Sequence, residues 1–309
     1  MLARREYVYK VVNGLPVHAD VYFRKPASAS KSLPIALHFH GGNFTVGSKA
    51  LFSQRQATKL LDLGFVVVSA DYRLCPTVTV YDGPVTDALD AYQWSQTKVP
   101  ELLLNDAGIE VDGSRVVTFG QSCGATLALL MAASPMPPRA ILDLYGMKYL
   151  EDEAFHTPLP PPPSGALKFD DAFLAKVWDD LPPPTSGPPP VGPNGPDFRN
   201  YRVAWMFSAM GQGNLLKTTV GDGDYGRVDP ATLFAKGGFP PTYFIHGTKD
   251  FLVPDAVSQR AHKELKEHGA VTELVLVEGA PHGFDDRAGP LDDVQGIVDR
   301  GLEFLRSHV

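Results

Sequence analysis

The chain has 309 residues, of which 44% are hydrophobic and 20% charged, and a formal net charge of −7. That composition suits a soluble globular protein with a sizeable core, and the acidic balance without a long basic run excludes a nucleic-acid binder. No apolar stretch approaches the roughly 20 residues of a membrane-spanning helix. No secretory leader follows Met1, and Cys75 and Cys123 are too few for a disulfide framework, so a cytoplasmic protein without a transmembrane segment is expected.

In chain order, residues 7–12 and 17–23 alternate as strands around Asn13-Gly14, a hairpin signal. Residues 25–33 read as a Pro/Ser/Lys loop. Residues 34–39 read as a buried strand running into His40-Gly41-Gly42-Asn43-Phe44. A helix over 53–63 ends at Gly64, and the β-branched run 65–70 suits a parallel strand covered on both faces. It leads into Asp71-Tyr72-Arg73-Leu74-Cys75-Pro76. A helix is predicted over 84–97, a strand over 115–119, a helix over 125–133 and a strand over 140–145. Strands alternating with helices predict right-handed crossovers and a mostly parallel sheet flanked by helices, preceded by the antiparallel hairpin.

Between Gly146 and Gly238 the alternation stops. Proline runs at 160–163, 182–184 and 188–190 exclude regular structure there, while 169–178 and 201–210 are apolar islands of helical character. Two tryptophans and several phenylalanines are of no use to a disordered linker, so an inserted Pro-rich cap is expected at 147–238, with 1–146 and 239–309 forming one core. Alternation resumes with a strand at 241–246, a helix at 256–268, a strand at 271–277 and a closing helix at 291–308.

The chemistry centres on Gly120-Gln121-Ser122-Cys123-Gly124, between a β-branched strand and an apolar helix. This is the pattern and the setting of a nucleophile elbow. A serine hydroxyl needs a base to take its proton and an acid to fix that base's tautomer. Asp250 and His282 each follow a predicted strand, where groups gather in open parallel sheets. The order Ser, Asp, His is that of elbow enzymes. Asp255 is read as the cap of the helix after Asp250, which leaves Asp250 free. His38 and His40 lack the carboxylate or thiolate company of a metal site, and His40 is expected to orient the loop it opens. No metal and no cofactor are expected. Cys123 as nucleophile is the minor alternative, since the frame puts Ser122 at the apex.

These motifs, together with His282-Gly283-Phe284, resemble those of the hormone-sensitive-lipase-like branch of the α/β-hydrolase fold, from residue 35 to 309 except the Pro-rich region. The resemblance implies a serine carboxylesterase with an acyl-enzyme intermediate, in which Ser122 is nucleophile, His282 base and Asp250 its orienter. Backbone N–H groups of Gly41, Gly42 and Cys123 would form the oxyanion hole. Asn43 replaces the third glycine of the family pattern, so either Asn43 or Gly41 would join Gly42. Asp71 and Arg73 are expected to tie their loop to the oxyanion loop. Phe44, Trp178, Trp205, Met206 and Phe207 are candidates for contact with a small-molecule ester or acyl substrate, or equally for the cap's own core. A thioesterase, an acyltransferase, an amidase such as an arylformamidase, or a natural-product tailoring lyase or cyclase would use the same triad. A non-catalytic receptor is a further alternative, and the oligomeric state, homodimer included, is open.

Overall fold

The structure is a computed structural model that describes residues 3–24, 32–161, 167–192, 195–286 and 293–309. Residues 25–31 of the expected first loop, 162–163 of the first proline run and 291–292 of the expected closing helix lie outside the described residues.

Strands β1 (Ala3–Val12) and β2 (Leu15–Phe23) pair antiparallel, with Val12 opposite Leu15. The turn between them needs two left-handed residues, and Asn13 and Gly14 supply them at φ 51° and 82°. Next come β3 (Leu33–Phe39), α1 (Gln54–Asp62), β4 (Val66–Ala70), α2 (Thr86–Thr97), α3 (Val99–Ala107), β5 (Val111–Gln121), α4 (Cys123–Leu130) and β6 (Ile141–Leu144). After the intervening segment come β7 (Thr242–Gly247) and β8 (Thr272–Val277). The sheet order is β1-β2-β4-β3-β5-β6-β7-β8. The pairs β1–β2 and β2–β4 are antiparallel and the other five parallel. Central strands such as Val66–Ala70 are buried at every residue, as an apolar parallel strand covered on both faces must be.

Helix α3 is absent from the expected elements. Its Pro100 stands in the first helical turn, where a missing N–H costs nothing, and Gly108 ends it at φ 67°. Only Lys98 separates it from α2, so the two read in sequence as one helix and a tail. The segment between β6 and β7 contains α5 (Asp171–Ala175), α6 (Tyr201–Gly211), α7 (Leu215–Val220) and α8 (Ala231–Phe234). The expected islands correspond to α5 with its following 3-10 turn and to α6, whereas α7 and α8 were not foreseen. The remaining helices are α9 (Asp255–Glu267) and α10 (Val294–Ser307).

Two apolar clusters cover the two sheet faces. The β6–β7 segment divides between two environments. Met147, Tyr149, Leu150, Leu216, Val220 and Phe234 join the larger core cluster. Val177, Val203, Trp205, Met206 and Met210 form a separate cluster with Val46 from the loop after β3. No helix among the described residues is long and apolar enough to cross a membrane.

Candidate active site

Ser122 occupies the junction between β5 and α4 at φ 54° and ψ −128°, a conformation that L side chains rarely adopt. Its neighbours explain why the chain tolerates it there. A Cβ on Gly120 would lie 2.5 Å from the Gly124 backbone, and one on Gly124 would lie 2.1 Å from the Phe39 carbonyl oxygen. Neither contact can relax, so both positions require glycine for strand and helix to close. The Ser122 N–H donates to Leu144 O at 2.9 Å, which anchors the turn to β6.

His282 follows β8, and its Nδ1 donates to Asp250 Oδ2 at 2.7 Å. Asp250 follows β7, and its side chain is fully enclosed. Its other oxygen accepts the N–H groups of Leu252 and Val253, both at 2.9 Å. Burial alone would raise its pKa. Hydrogen bonds from His246 and His282, the charge interaction with His282 and the Val253 N–H overcome that and hold the carboxyl well below the usual range. Asp250 is thus no helix cap. Asp255 is not one either, contrary to expectation: it is the first residue of α9, Pro254 holds the cap position, and the Asp255 carboxylate instead accepts from Gln259.

The loop after β3 faces the elbow. Gly42, Asn43 and Phe44 lie at φ 120°, 52° and 60°, and a Cβ on Gly42 would meet Val46 O at 2.2 Å. Gly41 packs so closely on Gln121 and Ser122 that a Cβ there would lie 3.4 Å from the Ser122 Cβ. His40 Nδ1 is 2.8 Å from Gly41 O, and the Tyr72 hydroxyl donates to His40 O at 2.8 Å while its ring stacks on the imidazole. His40 therefore orients its own loop. Burial drives its pKa down to about 3, so it is neutral there. The Cys123 thiol is buried and pushed up to about 11 by desolvation, the opposite of an activated nucleophile. Its sulfur accepts the Phe44 N–H at 3.3 Å.

Asp71 ties its loop to the segment after the oxyanion loop rather than to that loop itself, accepting Lys49 N at 2.7 Å and Lys49 Nζ at 3.1 Å. Arg73 does not share that task. Its guanidinium clamps Asp87 of α2, with contacts from 2.7 to 3.2 Å, and also donates to Asp82 O.

Ser122 and His282 line one cavity with Asn43, Met147, Leu159, Met210 and Leu252 among others. The five residues expected near substrate are placed elsewhere. Trp178 and Trp205 face a second depression of about 290 Å³ formed by α5, α6 and α7. Phe207 packs edge-on against Phe198, Met206 sits in the cluster with Val46, and Phe44 is buried in the main core. The sequence reading missed Met210, one turn beyond Met206, whose sulfur accepts the Asn43 side-chain N–H at 3.3 Å. It also missed Tyr145, whose ring meets His282 edge-on at 4.8 Å and whose hydroxyl bonds to Asp285. The run His282-Gly283-Phe284-Asp285 carried that signal.

The sequence profile of a family described as alpha/beta hydrolase fold matches residues 36–169. The chain has the α/β-hydrolase fold. Solved structures of other proteins share this fold. A carboxylesterase from a metagenomic library, EstE1, superposes with a TM-score of 0.67 at 23% identity, covering 99% of this chain and 89% of that one. Thermogutta terrifontis esterase 2, phosphoramylated by tabun, gives 0.67 at 22%, covering 98% and 94%. Among curated sequences, this α/β-hydrolase chain is 34% identical over 328 residues to non-reducing polyketide synthase adrD of Penicillium rubens, and 32% over 342 residues to ausA of Emericella nidulans. The matches cover 94% and 98% of this chain but only 13% and 14% of those proteins, so the chain spans about one seventh of their length.

Proposed function

We propose that this α/β-hydrolase is a serine hydrolase that cleaves a carboxylic ester or thioester through an acyl-enzyme. The observation that carries this is the 2.7 Å His282–Asp250 bond together with the cavity that His282 lines with Ser122. Ser122 Oγ attacks the acyl carbonyl while its proton passes to His282 Nε2, and Asp250 steadies the imidazolium that forms. The tetrahedral oxyanion is held by backbone N–H groups of Cys123 and the loop after β3. The Cys123 sulfur accepts the Phe44 N–H at 3.3 Å. We take Gly42, with Gly41 or Asn43, as the other donors. The proton on His282 leaves with the alcohol or thiol, and water, deprotonated by His282, then frees the acid and restores Ser122.

The likeness to segments of two polyketide synthases supports an acyl group of polyketide type carried as a thioester. We take residues 147–238 as the cap over that acyl group and 1–146 with 239–309 as the core, although both ends of the cap are packed into the core. Ser122→Ala should abolish hydrolysis of p-nitrophenyl acetate and labelling by a fluorophosphonate while the melting temperature is kept; retained turnover would exclude this assignment. Comparing thioester, oxygen ester and formamide turnover by the pure protein separates thioesterase from esterase and arylformamidase. A native protein that takes no fluorophosphonate label would point to a receptor instead.

A further inference from the structure

Behind Asp250 lies a polar chain that the proposed reaction does not consume. Lys148, just after β6, is completely enclosed. Its ammonium donates to Gly146 O at 2.7 Å and Ser258 Oγ at 2.8 Å, and pairs with Asp143 Oδ2 at 2.9 Å. Ser258, on α9, lies 2.7 Å from His246 Nδ1. His246, in β7, places Nε2 at 2.9 Å from Val253 O and 3.4 Å from Asp250 Oδ2, the oxygen that also receives His282. Asp143, Lys148, His246 and Ser258 are all fully buried. Burial lowers the Lys148 pKa, against the pull of Asp143, Asp229 and Asp250.

Donors and acceptors along this chain can be matched in one direction. An ammonium has three N–H groups and accepts nothing. Since the ammonium can only donate, Ser258 Oγ accepts from Lys148 and donates its own hydrogen to His246 Nδ1. The imidazole proton then sits on Nε2. That is also what the Val253 carbonyl demands from the far side, since it can only accept. Nε2–H also faces the Asp250 carboxylate at 3.4 Å, which as an ion only accepts. His282 must therefore present Nδ1–H to it, leaving Nε2 bare as the base. We infer that Lys148, acting through Ser258 and His246, is a positioning residue that keeps the His246 Nε2–H aimed at Asp250 and so steadies the carboxylate on which His282 Nδ1–H rests.

The consequence for rate rests on the proposed triad; the polarity of the buried chain does not. The test is nitrogen-15 NMR of the full chain with labelled histidine, alongside ester kinetics. In the native protein His246 should appear as the Nε2–H tautomer and His282 as Nδ1–H. Ser258→Ala, nearly isosteric, should mix the His246 tautomers and speed exchange of the His282 Nδ1 proton. It should lower kcat for p-nitrophenyl acetate about 10- to 100-fold, the range for outer residues that orient a reacting group, with KM within twofold. Lys148→Met alone strands the Asp143 carboxylate, so the double variant Asp143→Asn/Lys148→Met provides the second test and should show the same tautomer mixing. Native His246 found as Nδ1–H overturns the inference, as does unchanged tautomer and kcat in both folded variants. An inert native chain with His246 as Nε2–H upholds the buried polarity and overturns only the hydrolase reading.

Discussion

His38 shows what a buried imidazole does to acid tolerance. It spans Ser69 Oγ at 2.9 Å and Gln121 Oε1 at 2.7 Å, and burial, only partly offset by the Gln121 bond, lowers its pKa to about 4. The unfolded chain takes up this proton near pH 6.5, about the ordinary histidine value, and the folded chain only near 4. Stability from this site is therefore complete above about pH 6.5 and is lost progressively as pH falls towards 4. By pH 5 the loss amounts to about 2 kcal/mol, at 1.36 kcal/mol per unit. Urea unfolding at pH 7 and pH 5 should show the native chain losing about that much more than His38→Gln; an equal loss in both contradicts it. At this scale the proposed triad could be read because each candidate sits in a local pattern tied to its chemistry. The Lys148–Ser258–His246 chain was not, because Lys148 and Ser258 are 110 positions apart and each alone reads as an ordinary core or surface residue.

Among the elements, α6 joins the proposed cap to the loops that shape the site. Its Arg202 is buried, donates to Thr45 O at 3.0 Å and bonds also to Cys75 O and Asp180. The proline-rich stretch adds backbone bonds: Gly47 N to Pro188 O and Gly187 N to Gly47 O, both 2.8 Å, and Leu74 N to Pro184 O at 2.7 Å. Proline cannot donate, but its carbonyl accepts, so a stretch that reads as irregular in sequence still docks as a strap. Arg202→Leu leaves two carbonyls and the Asp180 carboxylate without their partner. It should cost about 2–4 kcal/mol in urea unfolding and speed hydrogen exchange at Gly47, Leu74 and Gly187 relative to β5. Protection unchanged at those three amides would show that the strap holds without it. The hairpin and parallel strands were readable from alternation and β-branched runs. Helices α3, α7 and α8 were not: α3 abuts α2, and α7 and α8 have only six and four residues, too few for a helical period to declare itself.

On the scale of the whole molecule, the parallel sheet brings Ser122, Asp250 and His282 to one edge from the ends of β5, β7 and β8, and the β6–β7 segment closes over that edge. The cavity beside Ser122 and His282 is partly open and measures about 50 Å³. An acyl group of polyketide type would extend beyond that space through its open side. The space is bounded on the segment's side by Leu159, Met210 and Leu215, and Met210 is further held by the Asn43 amide. Acyl length should therefore be set by this wall, which the sequence could not reveal because it brings together positions 43, 159 and 210 across three separate stretches. Met210→Ala removes the thioether from the wall and releases the Asn43 side chain, opening space where an acyl chain leaves the Ser122 carbonyl. A pocket discriminates one methylene by about 1–3 kcal/mol, or 10- to 200-fold. The ratio of kcat/KM for p-nitrophenyl hexanoate over acetate should rise at least tenfold in Met210→Ala, with acetate turnover nearly unchanged. If the ratio stays constant while the variant folds normally, the acyl group leaves by another route, and the wall of Met210 and Leu159 does not select it.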